Sequence, residues 1–146
     1  MTTIAADPKL GLMVTDSNVT DGAQKWSEHK VERIGDTLYG TCGDAVDGDK
    51  FYDWIRRGAK GRKPKLDENE FNALALNDKG LFWFDNKLHP IRHKEPFAIG
   101  SGATAARAAL ECGADIVRAV EVACKVDAGS APPVQVYRLS PLQEKK

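Results

Sequence analysis

Short apolar runs, often alternating with polar residues and punctuated by Gly, Asp, Asn and Pro, dominate the first third of the chain. Residues 2–6 (TTIAA) are β-branched and apolar and read as a strand. Asp7-Pro8-Lys9 supplies turn chemistry, and residues 10–15 (LGLMVT) read as the returning strand. A tight hairpin would carry Asp16 back beside the N-terminus. Residues 16–20 (DSNVT) read as a polar loop and Asp21-Gly22 as a turn. Residues 30–34 (KVERI) and 37–42 (TLYGTC) alternate around Gly35-Asp36. These four strands are expected to share one antiparallel sheet.

The period then changes. Gly43-Asp44 opens a helix, with Asp at the N-cap; Val46, Phe51, Trp54 and Ile55 give an apolar face; and Arg56-Arg57-Gly58 ends it. Residues 60–68 read as an exposed connection. Residues 71–76 (FNALAL) and 81–84 (LFWF) pair about the turn Asn77-Asp78-Lys79-Gly80. Residues 88–91 read as a short edge limited by Pro90, and residues 97–100 as the last strand of this second set. An Ala-rich helix follows over 103–111, closed by Cys112-Gly113, and Asp115 starts another that runs to about 126. Residues 134–139 (VQVYRL) read as a final strand and residues 140–146 as a mobile tail. Sheets with one buried face and amphipathic helices to cover them predict an α+β fold. The arrangement expected is two stacked antiparallel sheets between helix layers, a four-layer αββα sandwich in one domain over residues 1–146.

Composition narrows the function classes. In 146 residues, 21 basic and 21 acidic side chains give a formal net charge of zero. This excludes a general nucleic-acid or anionic-membrane binder, which needs an excess of Lys and Arg. The cluster Arg56, Arg57, Lys60, Arg62, Lys63, Lys65 has no interleaved aromatics and reads as a solvated helix end. No apolar run approaches the ~18 residues of a membrane span, and the N-terminus lacks a secretory pattern. Cys42, Cys112 and Cys124 match no metal or redox spacing and read as reduced, mostly buried thiols of a cytoplasmic protein. His29, His89 and His93 have no ligand spacing and read as surface, so neither metal nor other cofactor is expected.

The candidate chemistry lies at the start. A threonine hydroxyl needs a base to become a nucleophile. With Met1 removed, Thr2 would carry one as its own α-amine, whose ordinary pKa of roughly 7.7–8.0 leaves part of it neutral near pH 7. Met-Thr alone is an ordinary terminus, and the residues after it give the pattern its weight.

Six segments in order resemble the N-terminal-nucleophile hydrolases of the proteasome β-subunit and bacterial HslV type. They are Thr2-Thr3-Ile4; Thr15-Asp16-Ser17-Asn18-Val19-Thr20; Lys30-Val31-Glu32-Arg33-Ile34; Gly40-Thr41-Cys42-Gly43-Asp44-Ala45-Val46-Asp47; Ile99-Gly100-Ser101-Gly102; and Asp127-Ala128-Gly129-Ser130. The resemblance implies the αββα fold and a threonine-type peptidase acting through an acyl-enzyme. It implies Thr2 as nucleophile, Lys30 as the cation that stabilises it and Asp16 as the holder of Lys30. It further implies the Gly43 N–H at the oxyanion, and Ser101, Asp127 and Ser130 around the amine. Thr20, Thr41 and Ala45 would bind an extended peptide by strand addition. Taken singly, each residue also has an ordinary reading: Lys30 a surface lysine, Asp16 a turn residue, Ser101 a helix N-cap, Asp127 and Ser130 a helix end. A structural homologue without activity and an amidase of small substrates are the alternatives.

The expected partners are a peptide or unfolded protein and further copies of the chain in a ring or partial ring. A separate ATP-dependent unfoldase also belongs with the resemblance, since this chain carries no nucleotide-binding motif. Three departures stand out. The connection before Phe71 is short for the family's second helix, Asp44 occupies a common glycine position, and Asn18 replaces an arginine. Glu28 and Glu32 flank Lys30 and lean the expected preference toward polar or basic peptides.

Overall fold

A computed structural model describes residues 2–21, 23–67 and 70–139. The chain runs through β1 (Thr3–Asp7), β2 (Leu12–Thr15), β3 (Asn18–Asp21), β4 (Gln24–Ser27), β5 (Val31–Ile34) and β6 (Thr37–Cys42) to α1 (Ala45–Arg56). It continues through β7 (Asn72–Asn77), β8 (Gly80–Phe84), β9 (Ile91–His93) and β10 (Phe97–Gly100) to α2 (Ala103–Glu111), α3 (Ile116–Val126) and β11 (Gln135–Arg138).

Two antiparallel sheets form the centre, one ordered β10-β1-β2-β11 and the other β5-β6-β7-β8-β9. The expected αββα sandwich is therefore present, and three apolar cores separate its layers. Ile4, Ala6, Met13 and Ile99 meet Leu38, Leu74, Leu76 and Leu81 between the sheets. Phe51 and Trp54 of α1 pack on Phe71, Ala73, Ala75 and Phe84 outside the five-stranded sheet. Ala106, Ile116, Ala119, Val120 and Ala123 of α2 and α3 pack on Ala5, Val14 and Ala98 outside the other. The two-residue period of β1 explains the split: Ile4 and Ala6 face the second sheet, while Thr3 and Ala5 face the helices.

Several expectations need correction. The four N-terminal strands do not share one sheet. β1 and β2 belong to the four-stranded sheet, whereas β5 and β6 start the other. β10 leaves the second set to pair with β1, with Thr3 opposite Gly100. Alternation reports a buried face but not which sheet a strand joins. The expected loop at 16–20 instead enters a small hairpin, in which β3 pairs with β4 and Thr20 lies opposite Lys25. The short edge strand is Ile91–His93, which begins immediately after Pro90. Cys42 is buried, but Cys112 is exposed and Cys124 half-buried. Gly22 of the expected turn, residues 68 and 69, and the tail at 140–146 lie outside the described residues, as does Met1.

The helix start reads as expected. Asp44 caps α1, its Oδ1 accepting from Val46 N at 2.7 Å, and Asp115 caps α3 by accepting from Arg118 N at 2.8 Å. The Asp44 cap lies at the edge where β1 begins and β6 and β10 end, and α3 reaches the same edge with its C-terminal end, where Asp127 accepts from Ser101.

Candidate active site

The β1–β2 hairpin places Ile4 opposite Thr15, and Asp16 N donates to Thr3 O at 3.1 Å. This register seats the Asp16 side chain beneath the start of the chain. Asp16 is fully buried, and donors surround its carboxylate. Thr3 N at 3.0 Å and Lys30 Nζ at 2.9 Å donate to Oδ1, while Asn18 N at 3.1 Å and Ala131 N at 3.2 Å donate to Oδ2. A buried carboxylate is tolerated only when paired and hydrogen-bonded in this way.

Lys30 enters from the start of β5. Its Nζ bridges Asp16 Oδ1 and the hydroxyl of Thr2, the latter at 3.1 Å. An ammonium held there by a buried anion favours negative charge on the Thr2 oxygen. Around the Thr2 nitrogen a second chain of bonds closes. Thr2 N donates to Ser101 Oγ at 3.3 Å, and Ser101 Oγ donates to Asp127 Oδ2 at 2.7 Å. Ser130 Oγ also donates to Asp127 Oδ2 at 2.7 Å and lies 2.6 Å from Thr3 Oγ1. Burial alone would raise the Asp127 carboxyl, but the Ser130 and Ser101 hydroxyls and the Gly129 N–H override it and hold it below its ordinary 3.8.

Two glycines are fixed by space. Gly100 has φ +98°, and a Cβ there would strike the Thr2 carbonyl. Gly43 has φ +112°, and a Cβ there would come within 2.8 Å of the Glu70 carbonyl oxygen. Gly43 thereby makes the turn from β6 into α1 and lines a cleft of about 710 Å³ together with Thr2, Thr20, Lys30, Thr41 and Ala45. The structure thus brings every sequence-predicted site residue to one edge. Thr2, Asp16, Lys30, Ser101, Asp127 and Ser130 are joined by hydrogen bonds, and Gly43, Thr20, Thr41 and Ala45 lie along the cleft.

The Ser101 N-cap reading is corrected: Gly102 is the N-cap of α2 and makes no side-chain cap bond, so Ser101 spends its hydroxyl on Thr2 and Asp127 instead. Sequence reasoning missed Thr3, whose fully buried hydroxyl meets Ser130. It also missed the Ala131 N–H on Asp16 and the Asn18 amide, which donates to Gly129 O at 3.0 Å. A threonine on the core side of an apolar strand was the available signal for Thr3.

Cys42 also lines the cleft, but burial pushes its thiol up to about 11, so it stays protonated and is a poor nucleophile. Among the described residues no cluster of His, Cys, Asp and Glu is arranged to hold a metal. No helix of the described residues is long and apolar enough to cross a membrane.

No family model and no curated relative matches the chain. Solved structures do. Thiobacillus denitrificans BPH, in complex with epoxomicin, aligns with a TM-score of 0.70 over 96% of this chain and 100% of that one, at 19% identity. Eukaryotic HslV from Trypanosoma brucei aligns with a TM-score of 0.70 over 93% of this chain and 98% of that one, at 24% identity. The chain has the fold of these HslV and BPH structures. A further structure of Thiobacillus denitrificans BPH agrees, with a TM-score of 0.66 over 96% of this chain and 98% of that one, at 19% identity. At such identities the likeness carries the fold, and the case for chemistry rests on the residues of this chain.

Proposed function

We propose that this chain is an N-terminal-threonine peptidase. The observation that carries the reading is the Lys30 ammonium, bridging buried Asp16 and the Thr2 hydroxyl at the mouth of a cleft. With Met1 removed, Thr2 Oγ attacks a peptide carbonyl carbon, and its proton passes to the Thr2 amine, directly or through a water. Lys30 stabilises the oxygen as it loses the proton. The Gly43 N–H serves the oxyanion of the tetrahedral intermediate. Collapse breaks the C–N bond, and the departing amine takes the proton, leaving an ester on Thr2. Water then attacks that ester with the Thr2 amine again as base, releasing the acid and restoring the hydroxyl. Ser101, Asp127 and Ser130 orient the amine.

The peptide reading is favoured over a small-substrate amidase because the cleft walls include exposed Thr20, Glu28, Gly43 and Asp44, an arrangement suited to an extended chain. Thr20 sits on β3, the strand beside which a peptide would add. The same reading includes a cytoplasmic, cofactor-free enzyme that assembles with further copies of itself and receives unfolded protein from a separate ATP-dependent unfoldase.

The test pairs intact mass with activity. Protein lacking Met1 should cleave unfolded peptides and take up one equivalent of a peptide epoxyketone, an electrophile that closes on both the hydroxyl and the amine of a terminal threonine. Thr2→Ala should lose labelling and reduce cleavage by about 10³-fold or more. Cleavage by Thr2→Ala at the parent rate would overturn the mechanism.

A further inference from the structure

The cleft beside Thr2 has a charge that the catalytic reading does not use. One wall carries Glu28, Lys30 and Glu32 at alternate positions leading into and along β5, so their side chains share a face. The other wall is one face of α1, with Ala45, Gly48, Asp49 and Tyr52 at helical spacing. Asp44 stands at the rim. Four carboxylates therefore line the cleft, against Lys30 as the one Lys or Arg among its lining residues. Lys30 is already matched by buried Asp16.

Two of the carboxylates meet neutral donors only. Glu28 Oε1 accepts from the Trp26 indole at 2.9 Å, and Asp44 accepts from the Val46 N–H, so neither contact is an ion pair. Asp49 is exposed and has no hydrogen-bond or ion-pair partner among the described residues. Glu32 is partly matched by Arg56 at 2.7 Å. Burial first, and then the charges of Glu32 and Asp49, push the Tyr52 phenol above its ordinary range, so fields from both walls converge on the cleft base. Ala45 and Gly48 project no long side chain from this wall into the cleft, and Tyr52, buried with its ring under the Arg56 guanidinium, closes its base.

We infer that this cleft receives a lysine or arginine side chain of the substrate, on the residue whose carbonyl Thr2 attacks. Glu28 and Glu32 bracket Lys30, the partner of Thr2, so their charge lies next to the reacting centre. A long side chain entering between the two walls brings its cationic head among Glu28, Glu32 and Asp49. Acidic side chains are repelled by the same groups, so selectivity has both an attractive and a repulsive part. The inference rests on Thr2 being the nucleophile.

The test uses Met1-processed full-length protein and three peptide epoxyketones that differ only in the side chain beside the electrophile: Arg, Leu or Glu. Each exposed ion pair is worth roughly 1.5- to 5-fold, so three carboxylates should favour Arg over Leu by about tenfold, with Glu slowest. In the combined variant Glu28→Gln, Glu32→Gln, Asp49→Asn, the Arg-to-Leu ratio should fall to about one. In the parent protein, raising salt from about 0.05 to 0.5 M should narrow the ratio severalfold, a readout that needs no variant. Thr2 labelled equally fast by the Arg and Leu probes, or a ratio indifferent to salt, would overturn this inference and leave Thr2 as nucleophile intact. Failure of all three probes to label Thr2 would instead remove the catalytic reading, and this one with it.

Discussion

Lys30–Asp16 and Arg56–Glu32 are the same kind of contact, at 2.9 and 2.7 Å, in opposite surroundings. The first pair has side chains 8% and 0% exposed, and the second 50% and 45%. Around Asp16 each carboxylate oxygen accepts two donors, and three of the four come from the backbone. Around Glu32, water competes for every lone pair. Distance alone therefore says little. Burial decides whether a charge pair acts as a structural joint or as an adjustable feature of a surface. The inner pair ties the hairpin, the end of the segment after α3, and β5 to one point. The outer pair only shades the charge of the cleft wall.

The largest expected effect comes from breaking the inner pair. Asp16→Ala would leave Lys30 without its buried anion and strip an acceptor from Thr3, Asn18 and Ala131. Loss of one partner of a buried pair costs about 3–5 kcal/mol. Against a total of about 5–15 kcal/mol for a domain, that is a large share. Denaturant unfolding should show it as a lowered midpoint. Asp16→Asn keeps the volume and one acceptor and should lose less. A loss below about 1 kcal/mol for Asp16→Ala would mean the carboxylate is not the joint described here.

The same contrast governs what was legible beforehand. The inner residues were found because the order of their segments resembles that of the N-terminal-nucleophile hydrolases; their local positions alone left ordinary readings open. Asp16 follows a hairpin that must return it to the N-terminus, Lys30 opens a strand, and Ser101 and Asp127 mark a strand-to-helix turn and a helix end. Thr3 and Ala131 were missed because their contributions exist only after β1 lies under α3. Thr3 then meets Ser130 across 127 positions of sequence, and Ala131 offers a backbone N–H that no side chain announces. The strands were legible, but their partition between sheets was not. Ile4, Leu38 and Leu74 are interchangeable as alternating apolar residues, and only their meeting in one core reveals two facing sheets. Glu28 and Glu32 could be noticed beside Lys30, but Asp49 joins them only once α1 closes the other wall.

An intermediate effect sharpens the comparison, because Asp127 is less buried than Asp16 yet is held by hydroxyls. Its folded pKa lies below the ordinary 3.8. The carboxylate therefore contributes stability that is present above the unfolded value and lost as pH falls through the folded one. Ser130→Ala removes a donor to Asp127 and the partner of the buried Thr3 hydroxyl. A hydrogen bond to a charged group is worth about 1.5–3 kcal/mol, which sets the expected loss at pH 7. Below about pH 4 the gap between parent and variant should shrink as Asp127 takes a proton in both. Unfolding curves at pH 7 and pH 3 test this, and a gap that stays constant would assign the whole effect to Thr3.

The smallest expected effect on stability comes from the outer pair. Arg56 carries three contacts: Glu32 at 2.7 Å, Asp53 at 3.7 Å, and the Tyr52 ring, 5.8 Å from its guanidinium. Both ion pairs are solvent-facing, and exposed pairs are worth about 0–1 kcal/mol, so Arg56→Ala should lower stability by less than about 1 kcal/mol. Its effect on the cleft has the opposite sense. Removing the guanidinium leaves Glu32 uncompensated, so the cleft becomes more negative while the fold barely changes. The Arg-to-Leu labelling ratio should rise, by up to about fivefold, and the rise should shrink in high salt. Loss of stability comparable to Asp16→Ala would erase the distinction between the two pairs. A labelling ratio that falls instead would show that Arg56, not Glu32, sets the charge felt by the substrate.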